Sequence, residues 1–271
     1  MEVLKQLADW PVDNVAAALV DPGGVTETYG DTTRVYALAS VTKLLVARAV
    51  LVAVEEEAVT LDQPAGPPGA TVEHLLAHAS GLDFAKRDAV AEPGTQRIYS
   101  SAGYEVLAET VEDGAGIAFP DYLREAVCEP LGMTQTVLDG PAGHGASSCV
   151  DDLAAFAGDL LRPGLLTPDT ASSAATVHFP RLDGFVPGYG RHRPNDWGLG
   201  PEIRGQKSPH WTAPGHSPET FGHFGQAGTF LWVDPVRDVA CVVLTDRAFG
   251  AWAKPLWSET NQGILDGLDR V

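Results

Sequence analysis

Between residues 44 and 54 nearly every side chain is apolar: Leu44, Leu45, Val46, Ala47, Val50, Leu51, Val52 and Val54 follow with little interruption. Such a run reads as a helix buried inside a core. Ser40-Val41-Thr42-Lys43 opens it. On a helix, positions i and i+3 lie on one face, a turn apart, so Ser40 Oγ comes within reach of Lys43 Nζ. A serine hydroxyl is a poor nucleophile until a neighbouring base takes its proton. A lysine is that base only when neutral, a state favoured by apolar burial or by a second cation. The plainer reading makes Ser40 an N-cap and Lys43 an amine snorkelling from a helix end. Against it, the chain has only five lysines and a single S-x-x-K, and no acid stands at i+4 from Lys43.

The 271 residues, 44% hydrophobic, suffice for one large domain or two interleaved ones. Eighteen basic against 36 acidic residues give a net charge of −18, which repels nucleic acid and anionic membranes. The first residues carry no basic segment followed by an apolar one, so no signal peptide is expected. No apolar run is long enough to span a bilayer. Cys128, Cys149 and Cys241 are odd in number and widely spaced, matching neither a disulfide framework nor a zinc site. Free thiols in a reducing cytoplasm are the expectation.

Residues 15–20 and 25–29, joined by Asp21-Pro22-Gly23-Gly24, have the pattern of a β-hairpin. Helices are expected at residues 2–9, 71–78, 101–112, 119–127 and 150–161. Residues 197–199, 222–233 and 239–245 look like strands, and 249–268 like a final amphipathic helix. This order predicts an α+β fold: an antiparallel sheet built from both ends of the chain and flanked by helices. The sheet region is expected at 1–54 and 190–271, with a mostly helical insertion at 55–189.

Three other segments invite chemistry. Tyr99, in the loop Pro93–Ser101, can point its phenol into a cleft or simply anchor the loop. The three glycines around His223 in residues 222–228 imply close approach of a ligand or another backbone. Exposed N–H groups there can stabilise an oxyanion, or the histidine can belong to a bulged strand. His74 and His78 are spaced i,i+4 but lack a third ligand and read as structural. Residues 200–208 resemble a P-loop only superficially, because Gln206 intrudes before Lys207 and no apolar strand leads in.

Taken together and in this order, Ser40-Val41-Thr42-Lys43, Tyr99-Ser100-Ser101 and His223-Phe224-Gly225 resemble the serine beta-lactamase and penicillin-binding-protein superfamily. The chain is most similar to the class C beta-lactamase-related hydrolases, which include esterases and D-aminopeptidase-like enzymes. Residues 75–82, 93–104, 122–133 and 228–245 carry the same likeness, so it spans about residues 15–250. The resemblance implies a beta-lactamase-like fold with the active site between sheet and helical region. It implies Ser40 as the acylated nucleophile and Lys43 as its base or electrostatic partner. Tyr99 would be a proton shuttle, as a phenolate stabilised by Lys43. The backbone N–H groups of Ser40 and Gln226 would form the oxyanion hole. Ser101, His223, Phe224 and Gly225 would line the substrate site, with no metal or organic cofactor.

Two departures bear on substrate. Ser101 replaces the family's usual asparagine and offers one donor in place of two. Phe224 replaces a small hydroxyl residue, which predicts a more apolar cleft wall. His223 stands where lactamases usually carry lysine and many family esterases carry histidine. These features favour a small carboxylic ester over an amide, and the expected partner is a small-molecule ester or amide. A beta-lactamase or D-Ala-type peptidase is the first alternative. A catalytically inactive binding or scaffold member is the second. The pattern leaves the oligomeric state open, as it does the choice of Lys43 or Tyr99 as base.

Overall fold

The computed structural model describes residues 2–269. A 3-10 turn (Val3–Asp9) precedes strands β1 (Val15–Asp21), β2 (Gly24–Tyr29) and β3 (Tyr36–Ala37). A second 3-10 turn (Ala39–Val41) runs straight into helix α1 (Thr42–Glu55). Then come α2 (Val72–Leu76), α3 (Ser101–Ala115) and α4 (Phe119–Leu123), the last prolonged by a π turn, Arg124–Cys128. Short strands β4 (Val137–Leu138) and β5 (Ala146–Ser148) lead to α5 (Val150–Leu161) and α6 (Pro168–Ala174). A hairpin of β6 (Gly184–Val186) and β7 (Gly190–His192) follows. The chain closes with β8 (Glu202–Ile203), β9 (Phe221–Gly225), β10 (Thr229–Asp234), β11 (Val239–Thr245) and α7 (Ala253–Leu268).

The main sheet has six strands in the order β2-β1-β11-β10-β9-β8, every pair antiparallel. Both of its faces are covered. Ala16, Ala18 and Val20 of β1 pack with Ala240, Val242 and Leu244 of β11 into the core that contains α1, α3 and α5. Ala17 and Leu19, with Cys241 and Val243, point the other way, onto α7 and the N-terminal turn. A strand buried on both sides needs an unbroken apolar sequence, and β11 (VACVVLT) has one. Helix α1 is buried around most of its circumference, Thr42, Lys43 and Arg48 included. Arg48 is tolerated there because its Nη2 pairs with Asp159 Oδ2 at 2.6 Å.

Three local expectations are corrected. Residues 222–233 are not one strand: Gly225 pairs with Thr229, and Gln226-Ala227-Gly228 turns β9 into β10. Gly228 adopts φ +86°, which a turn requires and a strand does not. Residues 197–199 form no strand and contribute only an isolated bridge, Trp197 to Glu202. The final helix starts at Ala253, not 249, because Phe249 closes a turn by donating its N–H to the Gln226 carbonyl.

Candidate active site

The site is assembled where α1 begins. Ala39 is a non-glycine residue at φ +47°, a strained conformation that costs of order 1–3 kcal/mol. It swings the chain from β3 into the helix. The surroundings hold the turn in place: Leu38 N–H donates to Ala146 O at 2.9 Å, and Thr229 Oγ1 donates to Leu38 O at 2.8 Å. Gly225 packs directly on this turn; a Cβ there would lie 2.3 Å from Leu38 O and 3.2 Å from Ala39 Cβ. The start of the 226–228 turn is thereby set beside Ser40. Ser40 N–H lies in the first helical turn, where backbone donors lack intrahelical acceptors. Gln226 follows Gly225 directly; its side chain is exposed and its Nε2 donates to Phe249 O.

Lys43 is wholly buried. Its Nζ donates to Gly143 O at 2.6 Å and Ser101 Oγ at 3.1 Å, and reaches Ser40 Oγ at a loose 3.5 Å. Burial drives the amine from its ordinary 10.5 down to about 7, with the Glu105 carboxylate acting in the opposite sense. Near neutrality a large share of Lys43 is therefore the free base.

Tyr99 is in the same crevice, but not as the phenolate expected. Lys43 Nζ lies 4.6 Å from its ring centroid, and no hydrogen bond joins the amine to the phenol oxygen. The hydroxyl is sealed from solvent, and burial pushes the phenol well above its ordinary pKa; the adjacent Ser40 hydroxyl offsets only part of this. Tyr99 is a neutral phenol. It completes an aromatic box with His78 (4.6 Å between centroids), Trp197 (5.9 Å), His223 (5.6 Å) and Phe84 (5.9 Å).

His223 faces this box from β9. Its Nδ1 lies 2.7 Å from Phe224 O, an acceptor, so Nδ1 carries the hydrogen and Nε2 is bare. Burial, then the Lys43 ammonium, lower its pKa to about 3, so the ring is neutral. Phe224 does not line the site. Successive strand residues point to opposite faces, so Phe224 enters the far core against Trp211, Phe249 and Trp257. The expected apolar cleft wall at Phe224 is therefore corrected; the apolar groups at the site are Tyr99, Trp197 and Phe84. Ser101, the first residue of α3, touches Lys43, while Ser100 beside it caps the helix by accepting from Gly103 N.

Sequence reading missed several contributors. Arg97 ties down the loop leading to Tyr99 by donating to the carbonyls of Ala77, His178, Phe179 and Asn195. An arginine two residues before the tyrosine was its only sequence signal. His78 turns inward at φ +54° and accepts from Ser100 N–H at 3.1 Å. His74 instead bonds Thr71 and stacks on Phe179, so the two histidines share no site. Gly143 and Glu105 gave no local signal.

An antiparallel sheet packed on a buried helix, with serine, lysine and tyrosine converging at the helix start, defines a serine hydrolase of the beta-lactamase and penicillin-binding-protein type. The chain belongs to the Beta-lactamase family, whose model matches residues 12–259. It is 59% identical to a crystal structure described as a beta-lactamase from Mycobacterium bovis, over 98% of this chain and 99% of that one, with a TM-score of 0.97. Simvastatin synthase from Aspergillus terreus shares the fold at 18% identity, with a TM-score of 0.81 over 100% of this chain and 94% of that one. A candidate D-alanyl-D-alanine carboxypeptidase from Salmonella enteritidis is 26% identical over 60% of this chain. The match spans about half (48%) of that relative's length. No helix among the described residues is long and apolar enough to cross a membrane.

Proposed function

We propose that the protein hydrolyses small, uncharged carboxylic esters through an acyl-enzyme on Ser40, with neutral Lys43 as the base. The observation that carries this reading is the buried amine, about 7 in pKa, between the Ser40 and Ser101 hydroxyls. Lys43 Nζ takes the Ser40 Oγ proton as Oγ attacks the ester carbonyl. The Ser40 and Gln226 N–H groups receive the developing oxyanion. As the tetrahedral adduct collapses, the Tyr99 phenol gives its proton to the departing alkoxide and regains one from the Lys43 ammonium. Water then attacks the acyl carbonyl, giving a proton to the neutral Lys43 amine, and that proton passes to Ser40 Oγ as the carboxylic acid departs.

An uncharged substrate is favoured because the cations around the site are committed. Arg97 serves four carbonyls, Lys207 pairs with Glu202, and His223 is neutral. A lactam or D-Ala peptide brings a carboxylate that would need one of them. The likeness to the M. bovis protein favours a second reading, lactam hydrolysis. Three buried free thiols accord with a reducing, cytoplasmic setting. The test is intact-mass detection of an adduct after a fluorophosphonate or penicillin, with Ser40→Ala as control. Turnover of a short-chain nitrophenyl ester is then compared with that of a chromogenic lactam. A serine adduct with faster ester turnover is expected. An adduct that survives Ser40→Ala refutes the nucleophile, and faster lactam turnover refutes the ester preference.

A further inference from the structure

Residues 141–145 meet the site without belonging to any motif. Gly143 accepts the shortest hydrogen bond made by Lys43 Nζ. Its position is fixed from two sides. A Cβ on Gly143 would lie 2.9 Å from Ser101 Cβ and 3.0 Å from Ser101 O, so the backbone rests directly on the start of α3. One helical turn on, at i+4 from Ser101, the Glu105 carboxylate accepts from Gly143 N–H at 2.9 Å and from Ala142 N–H at 3.1 Å. Each carboxylate oxygen thus takes one backbone donor. The contacts close a ring: Lys43 to Ser101, one turn of α3 to Glu105, Glu105 to Gly143, and Gly143 back to Lys43.

We propose that Glu105 is a positioning residue for the Lys43 base: it aims the Gly143 carbonyl at Nζ and supplies the negative charge that keeps the amine protonatable. This inference rests on the reading of Lys43 as base. Without Glu105, two buried-side N–H donors lose their acceptor, and a carbonyl dipole that defines where Nζ sits is free to turn. The titratable groups around Lys43 are Tyr99 and Tyr104, whose rings lie 4.6 and 5.4 Å from Nζ, together with His78, His223 and Glu105. Both tyrosines are neutral phenols and both histidines neutral imidazoles, so Glu105 is the anion of the set. Burial and Glu105 act on the amine in opposite directions. Arg87 and His144 share a cavity with Glu105 on its outer side; Arg87 is paired with Glu109. A carboxylate so placed gives the site two properties at once, a fixed amine and a pKa near neutrality, where a general base is most effective.

The test is the pH dependence of kcat/KM on a neutral ester for wild type, Glu105→Gln and Glu105→Asp. Wild type should lose activity as pH falls through about 7. Glu105→Gln removes the charge, so its acid limb should move down by roughly one pH unit. Its plateau kcat should fall roughly tenfold, as the carbonyl loses its aim while KM changes little. Glu105→Asp keeps the charge on a shorter arm: its limb should stay in place while kcat falls. An unmoved limb in Glu105→Gln overturns the inference and leaves the base assignment standing. A wild-type profile with no acid limb near pH 7 overturns the base assignment itself. A uniform loss of kcat in both variants without any limb shift reduces Glu105 to a structural residue and also refutes the inference.

Discussion

Replacing Lys43 by methionine should destroy activity and, below neutral pH, make the protein more stable. The amine has an ordinary pKa of 10.5 and a folded value of about 7. At about 1.36 kcal/mol per pH unit, holding the protonated amine in the fold costs about 5 kcal/mol relative to the unfolded chain. Methionine keeps most of the stem and removes that cost. It also forfeits the bonds from Nζ to Gly143 O and Ser101 Oγ. A stranded carbonyl returns about 1–3 kcal/mol of the gain. Lys43→Met should therefore exceed wild type by about 2–4 kcal/mol at pH 6, or several degrees in melting temperature. Raising the pH closes this gap. Between 7 and 10.5 the unfolded chain holds the proton and the folded chain does not, so wild-type stability climbs with pH. By pH 9 the advantage of the variant should have shrunk by about 3 kcal/mol. Urea unfolding of both proteins at pH 6 and pH 9 measures this difference, and comparing the two differences cancels every other titrating group. A variant less stable than wild type at pH 6, or an advantage equal at the two pH values, would show that Lys43 is not held in a desolvated, neutral-leaning state.

Tyr99→Phe deletes a single oxygen from a well-packed ring, so folding should be preserved. As donor to the leaving alkoxide, its loss should cost about 10²–10⁴ in kcat, with most of the deficit recovered on esters whose leaving group is a stable phenolate; equal losses on alkyl and nitrophenyl esters would contradict the donor role. Phe224→Ala empties a position in the core against α7, outside the site. It should destabilise by about 3–5 kcal/mol while leaving KM for a small ester unchanged below the melting transition, which calorimetry and steady-state kinetics together check.

Most of the architecture could be read from the chain because burial leaves a period in the sequence. The unbroken apolar stretches of α1 and β11 state that they are covered on all sides. The β1–β2 hairpin announces itself through Pro22, Gly23 and Gly24. The reading failed where one composition serves two geometries. The glycines of residues 222–228 fit a crowded strand and a tight turn equally well; φ at Gly228, which sequence does not reveal, decides between them. The error over Phe224 was avoidable, since strand alternation forbids neighbours His223 and Phe224 from facing the same cleft. The protonation state of Tyr99 was not avoidable. It depends on how completely the phenol is buried and on whether the Lys43 amine bonds its oxygen, which is a matter of packing between residues 56 positions apart. Glu105 and Gly143 were invisible for the same reason: each acts on the site through a partner remote in sequence.

The charge states that burial favours argue for Lys43 over Tyr99 as the base of the proposed reaction. A phenolate at Tyr99 would need a cation bonded to its oxygen to offset burial, and the Lys43 amine instead donates to Gly143 O and Ser101 Oγ. Ionising the phenol would leave a buried anion opposed by little more than the Ser40 hydroxyl. Deprotonating Lys43 relieves a buried charge. The pair is therefore poised as neutral amine plus neutral phenol, one ready to accept a proton and the other to give one, which is the combination that acylation of Ser40 by an alkyl ester demands. The same arrangement accounts for the isolation of the site from the chain's acidic surface. The Lys43 amine, the Tyr99 hydroxyl and both histidine rings are shielded from solvent, and a base near pH 7 survives in a protein of net charge −18 because water, which would return the amine to its ordinary basicity, is kept away from it.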